Sequence, residues 1–282
     1  VALVMSAAMA YLPIAFESIN RPNPDGTKTE LDGMEAIEYK RDLYAAINGE
    51  VTPEKVREAL KTYQDLINEY GPLESDTFPV SVSIKQIVPI RPLLKALPEL
   101  YADPLTGIGA DLMDIDPEDV AQNYYQRCVT HLSDVMKNEQ RNHPKAQQQS
   151  IDKYAEVDTP FQLYAGLSRD AFDYIELYIM VLAILCVAIT APAFSGEYQS
   201  GADSILRCTK HGRLKLAVSR ILASCAISVV TFAIGITLHL LISNLAFGTN
   251  CLETSMQMLF SIINLPNINL GQLQIYLALA GL

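Results

Sequence analysis

Three things are missing from this 282-residue chain, and each absence narrows what it can be. None of its five cysteines forms a C-x-x-C pair, which excludes a disulfide scaffold and a cysteine-type zinc site. Basic residues are scarce: 21 Lys and Arg stand against 32 Asp and Glu, a net charge of −11. A pI of 4.8 argues against nucleic-acid binding through a basic surface. Nor is there a G-x-x-x-x-G-K-S/T phosphate loop or a readable Ser/His/Asp arrangement. Ser195 sits in F-S-G-E rather than in a nucleophile elbow. Disorder is excluded as well, because half the residues are apolar.

The missing charge is unevenly placed. Residues 1–174 hold 16 basic and 28 acidic side chains, whereas residues 175–282 hold five and four. No charge falls between Leu177 and Gly196, or between Ile221 and Leu252. Each run matches the ~20 residues that cross ~30 Å of hydrocarbon as a helix. Backbone N–H groups in lipid must be paired internally, so both runs read as helices. The chain opens on VALVMSAAMAYLPIAF, which lacks the charged n-region of a signal peptide. It reads as the end of a first span (1–16), and LGQLQIYLALAGL as the start of a fourth (271–282). The chain is therefore expected to be an internal fragment of a longer multi-pass membrane protein.

Five Lys and Arg fall within 195–220 and none within 244–270. By the positive-inside rule the first stretch faces the cytoplasm and the second the outside. The expected order is an extracellular domain (17–173), a second span (174–194) and a cytoplasmic loop (195–215). A third span (216–245) and an extracellular amphipathic segment (246–270) follow. Within it, residues 255–270 are expected to lie along the membrane face as a helix ended by Pro266, or to re-enter the bilayer.

The fold class is thus mainly α: a polytopic helical membrane protein with a mainly helical extracellular domain between its first two spans. In that domain Thr52-Pro53 and Asp116-Pro117 are helix starts, an N-cap followed by proline at the first helical position. Val56, Leu60, Tyr63, Ile67 and Tyr70 then mark one helix face, which Gly71-Pro72 stops. Shorter helices are expected at 31–48, at 88–101 and before Pro160. Weak strand alternation appears at Val80–Ile84.

Several residues admit both a chemical and a plainer reading. His131 and His143, with Asp134 and Glu139 nearby, could be a metal site, but they lack a tight i, i+4 spacing, and a solvated helix face is favoured. Tyr124, Tyr125, Tyr154 and Tyr164 could line a peptide groove; packing is favoured. A Cys128–Cys251 bridge is sterically conceivable but unsupported by any other signal. His239 is the one titratable residue within the spans, and a hydrogen-bonded position near a helix end is favoured over a substrate or proton contact. Cys186 and Cys225 read as packed small side chains. Ser219, Ser224 and Ser228 read as close-approach faces, and Pro192 as a helix break before the loop.

The loop FSGEYQSGADSILRCTKHGRLKLAVSRI is the most informative stretch. It offers a short helix with Tyr198, Ile205 and Leu206 as apolar contacts, then a basic turn in which Gly212 suits a helix end. A cytoplasmic partner could grip it; a loop resting on lipid headgroups is the plainer reading. A span, then Phe194, Glu197, Gly201, an apolar pair, Gly212-Arg213 and another span together resemble the ABC-2 type permeases of bacterial ATP-binding-cassette transporters. The likeness covers about 174–245, with Arg220 where lysine is frequent. The long external insertion resembles one subgroup of that family.

That resemblance implies a permease subunit, an exporter, in the bacterial cell membrane. It implies no cofactor in this chain and ATP-Mg in a separate ABC ATPase partner, together with a second permease chain as a homo- or heterodimer. The coupling helix would fall on Glu197, Tyr198, Gly201, Ile205, Leu206, Arg207, Gly212 and Arg213. Ile205, Leu206 and Arg207 would transmit force, and Glu197 and Arg213 would fix the loop's ends. Peptides or lipophilic compounds are the substrates implied. The alternatives are a membrane-anchored extracellular sensor or binding protein, and a membrane enzyme such as a protease, for which no residue constellation exists.

Overall fold

A computed structural model describes residues 2–25, 27–75, 78–103, 106–192, 195, 199, 201 and 214–279. The chain is mainly helical. In order, the principal elements are α1 (Ala2–Ala15), β1 (Ser18–Pro22), β2 (Lys28–Asp32), α2 (Gly33–Tyr44), β3 (Gly49–Val51) and α3 (Pro53–Tyr70). There follow α4 (Pro117–Glu139), α5 (Pro144–Tyr154), β4 (Phe161–Leu163), α6 (Arg169–Thr190), α7 (Leu214–Phe247) and α8 (Leu270–Leu279). They divide into two compact units: residues 16–166 with 247–272, and residues 1–15 with 167–246 and 273–282.

The first unit is organised by α3 packed on α4. Both helices start where the caps predict. The Thr52 hydroxyl accepts from Lys55 N at 3.2 Å, and Asp116 accepts from Glu118 N at 3.0 Å. Val56 and Leu60 on α3 meet Val120, Tyr124, Cys128 and Leu132 on α4 in one buried cluster. Each such side chain, fully buried, contributes about 1.5–3 kcal/mol. Lys55 turns back from α3, donating to the carbonyls of Ile47 (2.6 Å) and of Asn48 and Glu50 (both 3.2 Å), which fixes the approach to β3. Burial lowers the pKa of its ammonium.

Strands are few and short. β1 and β2 form an antiparallel hairpin, and β3 pairs antiparallel with β4, more than a hundred residues away in sequence. The alternation at Val80–Ile84 does not make a strand. That stretch opens a helical run continuing to Leu94, in which Ile84 and Ile87 are buried three residues apart. A spacing of three belongs to a helix, and packing against α3 overrides the local β preference.

The stretch 246–270 also departs from expectation. It is not one amphipathic helix: only Asn250–Glu253 and Met256–Leu259 are helical turns, and Ile262 is buried in the same core as α3 and α4. Backbone bonding holds it beside β4, with Ser255 N donating to Gln162 O at 2.9 Å. Gln162 N donates to Ser255 Oγ and Tyr164 N to Thr254 Oγ1. The Tyr154 hydroxyl donates to Ile262 O at 2.6 Å. Its apolar side chains serve this core, which is why the segment carries no charge between Thr254 and Leu270.

The second unit contains the two helices long and apolar enough to cross a membrane, α6 and α7, with the shorter apolar helices Leu3–Ala15 and α8. The Ser168 hydroxyl caps α6 by accepting from Ala171 N at 3.1 Å. Arg169, Asp170, Asp173 and Glu176 occupy its first turns, after which it is uncharged to its end two residues before Pro192.

Gly166 shows how tightly the first unit closes. Its φ is +156°, and a Cβ placed there would lie 2.5 Å from Cys251 Cβ and 3.0 Å from Phe247 O. Gly166→Ala is therefore expected to destabilise this unit by about 2–3 kcal/mol. The measurement is a shift to lower denaturant in the loss of hydrogen-exchange protection across α3 and α4; an unshifted midpoint would show that the site relaxes freely.

Candidate functional site

Of the loop residues singled out in the sequence, Glu197, Tyr198, Ile205, Leu206, Arg207, Gly212 and Arg213 lie outside the described residues. Gly201 lies within them, at φ +74° with open space where a Cβ would stand. Beyond the loop, α7 opens with Leu214, Lys215, Val218, Ser219 and Leu222 around a shallow, mainly apolar hollow.

The apolar helices of the second unit hold a polar layer. Ser6 from α1, Tyr178 from α6 and His239 from α7 are all fully buried. The Ser6 and Tyr178 hydroxyls share a hydrogen bond of 2.6 Å. The Tyr178 ring lies flat on the His239 imidazole, with centroids 4.6 Å apart and planes 7° apart. Gly235, one turn before His239, leaves the space that Tyr178 fills: a Cβ there would meet the hydroxyl at 2.6 Å. Neither imidazole nitrogen completes a hydrogen bond among the described residues, although the Ser6 backbone faces the ring. Leaving such a group unpaired costs about 1–3 kcal/mol.

A second polar contact follows along α7. The amides of Asn244 and Gln274 exchange hydrogen bonds of 2.9 and 3.0 Å, joining α7 to α8. The Cys186 thiol donates to Ser228 O at 3.7 Å, a packing contact of the kind expected for both residues.

His239 is thus placed differently from its sequence reading. α7 runs on to Phe247, so the residue is two turns inside the helix and away from solvent, with the Ser6 backbone as the polar neighbour facing its ring among the described residues. Ser6, Tyr178 and Gln274 were not singled out in the sequence. One signal was present: Gly235, His239 and Ser243 recur every four residues on one face of an otherwise apolar helix.

The first unit carries its own polar cluster. Asp119, Asn123, Arg127 and His131 follow one another at i, i+4 along α4. Asp119 accepts from Arg127 at 2.9 Å and from Asn123 at 2.6 Å. The Arg127 guanidinium lies 4.5 Å from the Tyr101 ring centroid. Desolvation works against the charged form of Asp119. The hydrogen-bonding groups of Tyr101, Asn123 and Arg127 outweigh it and hold the carboxyl below its usual range. Desolvation, with Asp119 nearby, pushes the Tyr101 phenol the other way.

The proposed metal ligands are not brought together. His131 faces Glu99 at 4.0 Å, Asp134 pairs with Lys137 at 2.9 Å, and His143 stands at the start of α5. Among the described residues no group of three or more His, Cys, Asp or Glu could hold a metal ion.

Tyr124, Tyr125 and Tyr154 pack in a core rather than lining a groove, whereas Tyr164 is only half-buried and lies outside that cluster. Tyr124 and Tyr154 are buried, and Tyr125 stacks edge-on with Tyr124 and Phe161 at 5.1 Å each. Tyr125 donates to Val51 O and accepts from Phe161 N, bridging α4 to both strands of the β3–β4 pair. Cys128 and Cys251 remain thiols, directed to the carbonyls of Tyr124 and Gly248. Burial pushes the Cys128 thiol up to about 12, which removes it as a nucleophile.

No family model, curated protein or solved structure matches this chain. Its function must be argued from its own chemistry.

Asp119 makes one pH dependence predictable. Its native pKa lies below the unfolded value of about 3.9. It therefore stabilises the first unit above that value, and the contribution is lost as pH falls through the native pKa. Asp119→Asn should lower stability modestly at pH 6 and flatten its fall below about pH 4. Urea midpoints of both proteins at the two pH values give the comparison; parallel pH profiles would remove the carboxylate's role.

Proposed function

We propose that this chain is the permease subunit of an ABC-2 type exporter in a bacterial cell membrane. Its spans would be moved by a separate ATPase that grips residues 195–213. The observation that carries the membrane part of this reading is where the apolar side chains sit. In the most apolar stretches of α6 and α7 only 28% and 11% of residues are buried. A long apolar helix at the centre of a soluble protein is mostly buried. Here Met180, Ile184 and Val187 on α6, and Leu222, Val230, Leu241 and Leu245 on α7, are exposed. At 1.5 Å per residue, α6 would be about 33 Å long and α7 about 51 Å, enough to cross ~30 Å of hydrocarbon, with α7 tilted or projecting beyond it.

Lys215 and Arg220 at the start of α7 support a cytoplasmic position for that end. The coupling role of Glu197, Tyr198, Gly201, Ile205, Leu206, Arg207, Gly212 and Arg213 rests on the family resemblance. In this reading, ATP binding closes two ATPase subunits together and each displaces one loop. Two permease chains then rock and pass substrate outward. The force requires loop contacts that differ between the two ATPase states.

A membrane-anchored binding protein is the competing reading, favoured by the first unit's separate core. Gentle solubilisation of the chain from its own membranes decides between them. An ATPase bearing a phosphate-binding loop should co-purify, and its absence would favour the anchored binding protein. Glu197→Lys or Arg213→Glu should leave membrane insertion unchanged and cut ATPase recovery at least about tenfold. Normal recovery and normal transport in both variants would remove the loop from the mechanism.

A further inference from the structure

We propose that the Ser6–Tyr178–His239 layer is a subsite for an uncharged hydrogen-bonding group, a hydroxyl or amide, carried on an apolar body. As the site of the transported molecule it rests on the permease reading; as a binding site it does not. Three observations lead to it. The first is the imidazole itself, fully buried, with neither nitrogen completing a well-formed hydrogen bond among the described residues and with the Ser6 backbone directed at only one side of the ring. A neutral imidazole offers one donor and one acceptor, so the nitrogen turned away from Ser6 can pair with a hydroxyl or an amide, either of which both donates and accepts. Polar residues inside a membrane are expensive and are retained where they meet something.

The second is the cover over the ring. Tyr178 is held by Ser6 on one side and by the glycine notch at Gly235 on the other. A phenol stacked flat on an imidazole covers the ring's face and makes no hydrogen bond to the nitrogens on its edge. The third observation is charge. No Asp, Glu, Lys or Arg occurs in 1–15, 177–192 or 221–246. A charged group brought to this depth would find no counter-ion, so the occupant's polar group is neutral. The side chains along these helices are otherwise apolar, which suits the rest of it. Ser243, buried one turn beyond His239 on the same face of α7, extends the polar surface.

The test uses the full chain in lipid nanodiscs and two probes: an octyl-substituted naphthol and the matching octylnaphthalene without the hydroxyl. The chain has no tryptophan, so naphthalene emission is read without indole background. The naphthol should bind saturably above its partition into empty nanodiscs, about tenfold or more tighter than octylnaphthalene. His239→Phe should remove that difference. His239→Gln, which keeps a donor and an acceptor, should retain most of it. Leu241→Ala, on an exposed face of α7, should leave it unchanged.

Equal affinity for the two probes in the unmodified chain would overturn the proposal whether or not any variant folds. So would an undiminished preference in a His239→Phe protein that melts like the parent. No ATPase is present in this experiment. Failure to recover an ATPase from cells would sink the permease reading and leave a measured hydroxyl preference standing. Equal affinities would sink the subsite and leave the permease reading intact.

Discussion

The constraint on which the rest of this molecule depends is that α6 and α7 expose side chains that water cannot accommodate. Their outward faces are leucine, isoleucine, valine and methionine over most of their length. In water such faces drive association. In hydrocarbon they are neutral, and helices are held together instead by close packing and the few polar groups they share. The buried polar contacts of the second unit are of this kind: one hydroxyl pair, one stacked phenol and imidazole, and one reciprocal amide pair. Each joins helices far apart in sequence, and none involves a charge. Among the described residues of the second unit the imidazole is the buried side chain left incompletely bonded, which sets it apart from groups whose role ends with holding helices together.

The first unit solves the opposite problem. It is rich in charge, and its core is an ordinary aqueous one. Tyrosines are used there as girders, with rings in the apolar cluster and hydroxyls reaching backbone carbonyls at Val51 and Ile262. Its carboxylates are mostly distributed along helix faces, and the exceptional Asp119 is surrounded by donors. The one buried thiol of α4 is chemically quiet.

Legibility in the sequence followed the reach of the interactions. The starts of α3 and α4 were readable because a cap and its N–H lie two or three residues apart. The two long apolar helices were readable because an uncharged run is local. The β3–β4 pairing was not, since its strands are three residues long and its partners distant. Val80–Ile84 misled because alternation over five residues carries less weight than packing of Ile84 and Ile87. The uncharged stretch 255–270 looked suited to a membrane surface for the same reason that it suits a core: composition does not say which apolar environment is used. Tyr178 and Ser6 were invisible as site residues because a lone tyrosine or serine in a span is unremarkable until something is seen opposite it. The loop residues Glu197–Arg213 rest on resemblance alone.

Building the first unit from two stretches of chain has a consequence for its synthesis. Ile262, Thr254 and Ser255 supply one side of its core and the partners of β4, yet they follow residues 167–246, which belong to the other unit. At about 5–20 residues per second, a ribosome needs roughly 4–16 s to make those eighty residues. During that interval α3, α4 and β4 are complete, while the groove awaiting Ile262 stands empty and the Tyr154 hydroxyl has yet to meet its carbonyl. The unit must therefore persist with that part of its core uncovered until the later segment has been made. Its maturation is tied to the emergence of a later segment, so an error in placing those helices would also be an error in folding the unit that precedes them.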